Sequence, residues 1–311
     1  MKKSLGSVYV SLIMAMLFWG FTFVVFKFAN ESFRPISIIF FRLIVAIIFL
    51  FSFARIMRRL QPIRREDYKW LILLAFFEPF LYFLGESFGL TLVSSTLASV
   101  IISTIPLFIP VAAYFFYREK VTLLNMAGLL LSFMGVIMVV FNTGDSQGAS
   151  LKGILLMLFA VLSAVGYTMT VKKLTGSYNP ITITAWQSLI GMLLFLPLFL
   201  IIDLPQLQLR EASAISIWSL VFLGVFGSSL AFILFTVGIR EIGATKSNIF
   251  TNLIPVFVAI LSFFLLDETM PLLKIAGIVL VLAGLFMTQG EALMKKSNGF
   301  RLWNNRRPPI I

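Results

Sequence analysis

The chain contains no cysteine and no histidine in its 311 residues. The absence of thiols excludes disulfide bonds, thiolate metal sites and cysteine nucleophiles, and the absence of imidazole excludes histidine metal sites and Ser-His catalytic pairs. Histidine is also the usual proton carrier near neutral pH, so any coupling to protons has to use carboxylates. We therefore expect no metal site and no cofactor.

Charged residues are scarce as well. They make up 12% of the chain, about half of the share in an average soluble domain, whereas 59% of the residues are hydrophobic. One water-soluble core could not bury so many apolar runs, so the sequence predicts an all-α integral membrane protein whose main partner is the lipid bilayer. The net charge of +12 would suggest nucleic acid in a soluble chain. Here membrane topology explains it more simply, and we expect no nucleic-acid partner.

About ten apolar runs of about 20 residues, each long enough to cross a bilayer as a helix, alternate with short polar segments. The runs cover residues 7–28, 36–55, 69–91, 94–117, 122–141, 151–171, 181–202, 214–238, 244–266 and 271–290. None of the polar segments is long enough to form a domain of its own.

The basic residues are distributed unevenly between the two sides of such a bundle. If the N-terminus is cytoplasmic, 19 of the 25 lysines and arginines fall on the cytoplasmic side. The opposite side receives only Arg34, Lys152, Arg210 and Lys274. Cytoplasmic segments carry the excess of positive charge in membrane proteins, so we expect both termini in the cytoplasm.

The second half of the chain repeats the first. Nine residues recur at a constant offset of 149 positions: Gly89, Pro106, Phe115, Glu119, Leu123, Leu124, Ala127, Gly128 and Gly135. Three further positions align at an offset of 145: Lys27, Pro35 and Arg42 with Lys172, Pro180 and Gln187. Internal repeats of this kind are typical of transporters.

Each repeat holds five spans, so two copies in series must run in opposite directions through the membrane. We expect a first repeat over 1–145, a second over 146–293 and a basic cytoplasmic tail over 294–311. Glu119 and Glu268 would then lie in equivalent turns on opposite faces. Inverted repeats of this type enclose a central cavity with a gate on either side.

These features together resemble the EamA-type transporters of the drug/metabolite transporter superfamily. The resemblance covers nearly the whole chain. It is carried by Phe18-Trp19-Gly20, Phe41-Arg42, Gly89-Leu90, Pro106, Tyr117-Arg118-Glu119-Lys120, Gly128, Gly135, Pro255, Asp267-Glu268, Gly277 and Gly284. One departure is that Ala164 and Val165 stand in the second half where Trp19 and Gly20 stand in the first.

The resemblance implies ten spans, two cytoplasmic ends, a bacterial inner membrane and a central cavity for small metabolites. Family members move amino acids, nucleobase-like compounds, sugars or drugs, often outward. The resemblance therefore implies a mechanism class and leaves the substrate open.

Glu78 and Glu86 are the sharpest candidates for a functional site. Both fall within the third span, where a charged side chain costs about 2.5–3.5 kcal/mol at the membrane centre. We expect them to face the cavity, and to bind a substrate ammonium group or exchange protons. The alternatives are a structural carboxylate satisfied by a neighbouring helix, or one close enough to the membrane surface to be hydrated. For Glu78, a further alternative is a carboxylate that satisfies the backbone at a break marked by Pro79.

Arg42 lies within the second span and has a polar counterpart in Gln187. It could pair with one of the two carboxylates, bind an anionic substrate group, or extend toward the membrane surface. Trp19 and Tyr82 are candidate aromatic groups of the cavity, with Phe23, Tyr167 and Trp186 as weaker ones. Each of these rings could instead serve packing or contact lipid.

Two further groups of residues follow from the repeat. Ser103, with Asn248 and Asn252 in the second half, is predicted either to line the cavity or to make hydrogen bonds between helices. Pro106 and Pro255 each remove a backbone hydrogen bond within a span, so we expect a kink at both, which could act as a gating hinge.

The leading hypothesis is a secondary transporter that exports a small metabolite, amino acid or drug-like compound by alternating access. No nucleotide-binding motif of the form GxxxxGK[ST] occurs, so transport would be driven by a gradient, with protons as one candidate. The alternatives are an intramembrane lipid-modifying enzyme and a non-transporting membrane scaffold. We expect no enzymatic activity, and the oligomeric state is left open.

Overall fold

The computed structural model describes residues 4–118, 122–140, 150–207, 212–265, 271–273 and 275–287. Within these residues all regular structure is helical. The turns of Glu119 and Glu268 and the tail over 294–311 lie outside the described residues. Numbering spans by their order in the chain, we call the side on which span 1 begins the N-terminal face, and the side on which it ends the distal face.

The helices of the first half form five spans. They are α1 (Leu5–Asn30), α2 (Pro35–Ile56), α3 (Tyr68–Ala75), α4 (Tyr82–Leu90), α5 (Ser95–Ile102), α6 (Ile105–Tyr117) and α7 (Leu123–Val140). Span 3 consists of α3 and α4 joined by a wide helical turn over Phe76–Leu81, and span 4 consists of α5 and α6.

The helices of the second half repeat this arrangement. They are α8 (Leu151–Leu174), α9 (Pro180–Leu198), α10 (Ala214–Phe222), α11 (Ala231–Ile242), α12 (Ala244–Ile249), α13 (Leu253–Leu265) and α14 (Ile275–Met287). Span 8 joins α10 to α11 through Leu223–Leu230, and span 9 joins α12 to α13 through Phe250–Asn252.

Eight of these spans are long and apolar enough to cross a membrane, and α7 and α14 are shorter apolar helices. Together they confirm the predicted ten-helix membrane fold. Large apolar side chains point outward along the spans, such as Leu123, Trp218 and Phe286, each more than two thirds exposed. In water such a surface would aggregate, whereas in a bilayer it is solvated by lipid.

Spans 4 and 9 are each broken near the middle, at equivalent positions. Pro106 is the second residue of α6 and Pro255 the third residue of α13. A proline is tolerated in the first turn of a helix because the backbone N–H that it lacks has no partner there. The two prolines therefore begin new helix segments rather than bend continuous helices.

The two repeats contact each other along several helices, including the crossing of α7 and α14. A Cβ atom at Gly135 would lie 2.6 Å from the Gly277 carbonyl oxygen, and one at Gly284 would lie 2.5 Å from the Gly128 carbonyl oxygen. Between them Ser132 Oγ donates to the Val281 carbonyl oxygen at 3.3 Å. These reciprocal contacts are what an approximate twofold axis between the repeats requires, and they depend on small residues that let backbones touch.

We expect Gly135→Ala and Gly284→Ala each to destabilise the protein by about 1–3 kcal/mol, because the added methyl group overlaps a backbone atom that cannot move aside. Thermal unfolding in detergent, followed by loss of monodisperse protein, measures the effect. Gly6→Ala is the matched control, since nothing lies within 4 Å of a Cβ at that position. Equal melting midpoints for all three variants would contradict a tight crossing.

Candidate functional site

A cavity at the centre of the bundle is lined by side chains from spans 1, 2, 3, 4, 6, 8 and 9. Its volume of about 40 Å³ holds on the order of three water molecules. Six of the eight predicted binding residues line it, namely Trp19, Arg42, Glu78, Tyr82, Glu86 and Asn248. Phe23 and Tyr167 line it as well, whereas Trp186 does not.

The break in span 3 places Glu78 in this cavity. Glu78 has an extended backbone (φ −149°, ψ 119°) within an otherwise helical segment, and its peptide bond to Pro79 is cis. Its carbonyl oxygen, released from the helix, accepts a hydrogen bond of 3.0 Å from Gln187 Nε2 in span 7. The amide of Gln187 therefore satisfies the broken backbone, which leaves the Glu78 carboxylate available for another role.

Span 7 also fixes the position of the break. A Cβ at Gly191 would collide with the ring of Pro79, so the absence of a side chain there lets the ring pack directly on the helix backbone. The Glu78 side chain is 5% exposed, and its carboxylate makes no hydrogen bond or ion pair with any described residue. A buried carboxylate without a partner is costly, so the arrangement favours a ligand or a proton at this group.

Glu86 lies two turns further along span 3 and is also buried. Its Oε1 accepts a hydrogen bond of 3.1 Å from the hydroxyl group of Tyr82, one turn earlier in α4. The second oxygen of Glu86 has no hydrogen-bond partner among the described residues. The two carboxylates of span 3 thus share one cavity and differ in how far the protein satisfies them.

Arg42 lies at the edge of the cavity and does not extend toward the membrane surface. Its side chain is 3% exposed, and its Nε donates to Ser228 Oγ at 2.8 Å. The guanidinium carbon lies 4.2 Å from the ring centroid of Phe83, a cation–π contact. In the described part of the chain it makes no ion pair within 4.0 Å with Glu78 or Glu86. Of the alternatives that the sequence left open for Arg42, the ion pair is not formed among the described residues, and a hydroxyl group and an aromatic face contact the guanidinium group instead.

Trp19 and Asn248 turn their donor groups away from the cavity. Trp19 Nε1 donates to the Gly227 carbonyl oxygen at 3.3 Å, and the indole ring packs edge-on against Phe232 and Phe235. Asn248 Nδ2 donates to the Ala244 carbonyl oxygen of its own helix at 3.0 Å. The oxygen of the Asn248 amide keeps a free acceptor among the residues that the structure describes.

Ser103 and Asn252 lie outside the lining of the cavity. Ser103 Oγ donates to the Val100 carbonyl oxygen at 2.6 Å, at the end of α5. Asn252 is fully buried, and neither atom of its amide group has a partner among the described residues. Both residues sit at the breaks of spans 4 and 9, next to the cavity.

Several lining residues carry no prominent sequence signal. They are Thr22, Phe83, Ile102, Ile105, Thr168, Phe235, Thr251 and Ile254. Neutral residues of these types fit either a lipid face or an interior face. Position relative to a stronger candidate could have identified two of them, since Thr22 is one helical turn from Trp19 and Thr251 one turn from Asn248.

Equivalent hydrogen bonds connect spans 2 and 7 at both faces of the bundle. On the distal face, Ser37 donates its backbone N–H and its hydroxyl group to Asp203 Oδ2, each at 2.8 Å. On the N-terminal face, Thr182, which occupies the repeat position of Ser37, accepts from Gln61 N at 3.0 Å and donates to the Arg59 carbonyl oxygen at 3.1 Å. We call these the distal clamp and the N-terminal clamp.

Lys27 adds a further contact on the distal face. Its ammonium group donates to the carbonyl oxygens of Leu90 and Val93, just after span 3 ends. Cations stabilise the carbonyl end of a helix, so Lys27 ties span 1 to the end of span 3. The charge of Lys27 is therefore used within the bundle.

Comparisons with known proteins agree with this architecture. The model of the EamA-like transporter family matches the chain twice, over residues 6–141 and 151–289. A solved crystal structure aligns with a TM-score of 0.76 over 91% of this chain and 98% of its own length. Its sequence identity is 14%, so it shows a shared fold.

Relatives occur in bacteria, archaea and plants. The chain is 30% identical to "Uncharacterized transporter YetK" of Bacillus subtilis over 92% of this chain and 88% of that protein. It is 28% identical to an "Uncharacterized transporter" of Archaeoglobus fulgidus over 90% of this chain and 97% of that protein. A WAT1-related chloroplastic protein of Arabidopsis thaliana is 29% identical over 89% of this chain and 68% of its own length. Two family matches together span almost all of the described helices, and one relative is 30% identical over most of both chains. The chain therefore belongs to the EamA-like transporter family.

Proposed function

We propose that this membrane transporter is a secondary carrier that exports a small metabolite, amino acid or drug-like compound by alternating access. The observation that carries the proposal is a central cavity lined by Glu78, Glu86 and Arg42. A polar cavity inside a membrane bundle has no structural benefit that offsets its cost, so intramembrane ionisable groups point to a solute pathway. The N-terminal face, with both chain ends, would be cytoplasmic, and the membrane would be the inner membrane of a cell.

The small volume of the cavity supports a mechanism in which the helices move to admit the solute. A volume of about 40 Å³ is far below the several hundred cubic ångströms of a typical ligand pocket, so the described conformation is contracted and must open to admit solute. The paired breaks at Pro106 and Pro255 lie in equivalent spans of repeats 1–145 and 146–293. Exchange of conformation between the repeats would open one face while it closes the other.

Closure at both faces supports the same mechanism. The distal clamp and Lys27 hold one face, and the N-terminal clamp holds the other. Because the two clamps occupy equivalent repeat positions, the clamps themselves favour neither face strongly, and the contacts of Lys27 add to the distal face alone. A carrier needs such near-equality, since a large free-energy difference between its two open states would trap it in one of them.

The location of the carboxylates favours transport over a lipid-modifying enzyme. Glu78 and Glu86 are 5% and 7% exposed and face the interior, whereas a lipid headgroup would be modified near the membrane surface. We therefore propose no enzymatic reaction for this cavity. Protons are the coupling ion that the two carboxylates could carry without a metal site.

The first test is transport in liposomes under an imposed pH gradient, with a panel of amino acids, nucleosides, sugars and organic amines. We expect wild-type uptake to depend on the gradient and Glu86→Gln to lose that dependence, because an amide of the same shape cannot exchange a proton. Glu66→Gln is the matched control, since Glu66 is an exposed acid outside the cavity. Unchanged pH dependence in Glu86→Gln would contradict proton coupling at this residue.

A second variant tests the placement of Glu78 without removing any functional group. Gly191→Ala pushes a methyl group into the ring of Pro79 and so shifts the adjacent carboxylate. We expect KM to rise about tenfold or more, since displacements of about 1 Å in a binding site have effects of this order. Gly176→Ala is the control, because a Cβ there meets its nearest neighbour at an ordinary 3.5 Å. A Gly191→Ala variant with normal KM and normal melting midpoint would show that span 7 does not position Glu78.

A further inference from the structure

We propose that the substrate is an organic cation that donates N–H hydrogen bonds, such as a primary amine or an amidine, and that zwitterions and anions are poor substrates. This inference rests on the proposed transport function and narrows it to one substrate class. It follows from the unequal supply of hydrogen-bond donors and acceptors around the cavity, and from the charge of the cavity.

The acceptors of the cavity are free. The carboxylate of Glu78, the second oxygen of Glu86 and the amide oxygen of Asn248 have no hydrogen-bond partner within the described residues, and all three side chains line the cavity. None of these oxygens is sealed off from the cavity space, since none is among the fully buried atoms that lack a partner. A ligand in this position meets three acceptor groups.

Most donors of the cavity are already used, and the hydroxyl group of Tyr167, which has no partner among the described residues, is sealed off from the cavity space. Thr22, Thr168 and Thr251 each donate the side-chain hydroxyl to a carbonyl oxygen of their own helix, at 2.7–2.9 Å. The hydroxyl of Tyr82 donates to Glu86, and the indole N–H of Trp19 donates to Gly227. A ligand that brings acceptors would therefore have to break existing bonds, whereas a ligand that brings donors completes unmade ones.

The guanidinium group of Arg42 is the exception, but its surroundings limit its use. Its Nε is bound to Ser228, its face is covered by Phe83, and its Nη2 lies against Gly227, 3.1 Å from where a Cβ would stand. A substrate carboxylate that approached it would enter a cavity with two acids and one base. Repulsion from Glu78 and Glu86 opposes such an anion, and attraction favours a cation.

Aromatic rings complete the recognition of a cation. Trp19, Tyr167 and Phe235 line the cavity beside the carboxylates. The faces of such rings attract ammonium groups, most strongly where water is excluded, and their bodies contact a short apolar chain. The cavity therefore matches a cationic head on a compact apolar body.

The test compares amines with the amino acids from which they differ by one carboxylate. Tyramine is paired with tyrosine and agmatine with arginine, and N,N,N-trimethyltyramine removes the N–H donors but keeps the charge. Binding is measured by thermal stabilisation of the purified protein and uptake by liposomes that contain it, relative to protein-free liposomes. We expect each amine to bind at least tenfold more tightly than its parent amino acid, and tyramine more tightly than its trimethyl derivative.

Variants locate the effect. Glu78→Gln should weaken amine binding at least tenfold, and Glu66→Gln should leave it unchanged. Because Glu78→Gln could also unfold the protein, its melting midpoint is measured without ligand. Glu78→Asp serves as the charge-conservative variant, which keeps the carboxylate on a side chain one methylene shorter and should retain partial binding.

Three outcomes separate the two proposals. Tighter binding of the amino acids, especially if Arg42→Lys abolishes it, would overturn the cationic substrate class and leave the transporter in place. Equal binding of tyramine and its trimethyl derivative would overturn the requirement for N–H donors. If no amine, amino acid, nucleoside or sugar of the panel shows saturable uptake, the proposed carrier function is overturned, and the substrate class with it.

Discussion

The cost of a charged group inside a membrane is the constraint on which the rest of this structure depends. Glu78, Glu86 and Arg42 would each cost about 2.5–3.5 kcal/mol at the bilayer centre, so the bundle has to enclose them. Enclosure requires seven spans around one cavity and a break in span 3 that turns Glu78 inward. The amide of Gln187 makes this break affordable, because it satisfies the carbonyl oxygen that the helix no longer binds.

The inverted repeat distributes this solution over both halves of the chain. Ser37 and Thr182 occupy the same repeat position and form clamps on opposite faces. Gly135 and Gly284 also occupy the same repeat position. They lie at the crossing of α7 and α14, where each lies against a backbone atom of the other repeat. The functional groups, by contrast, are asymmetric. Arg42 faces the cavity, whereas its counterpart Gln187 supports the backbone of span 3, so one repeat supplies charge and the other supplies its scaffold.

The long apolar runs, and the charged residues within them, were sufficient to predict the fold and part of the cavity. Ten apolar runs and their basic flanks define the spans, and the cost of exposure to lipid places Glu86 and Arg42 in the interior. The partners of Arg42 could not be predicted, because a serine such as Ser228 or a phenylalanine such as Phe83 is compatible with any helix face. Pro79 signals a break, but only the packed structure shows that Gln187, rather than the carboxylate of the preceding residue, satisfies it.

The central claim is a cavity that opens alternately to the two faces, and cysteine labelling tests it most directly because the chain has no native cysteine. Ala164→Cys places a thiol in the cavity wall, while Glu31→Cys and Glu66→Cys mark the distal and N-terminal faces. The account predicts that membrane-impermeant reagents modify Ala164→Cys from either side of a sealed vesicle, and each marker from one side alone. Modification of Ala164→Cys from only one side under every gradient would contradict alternating access.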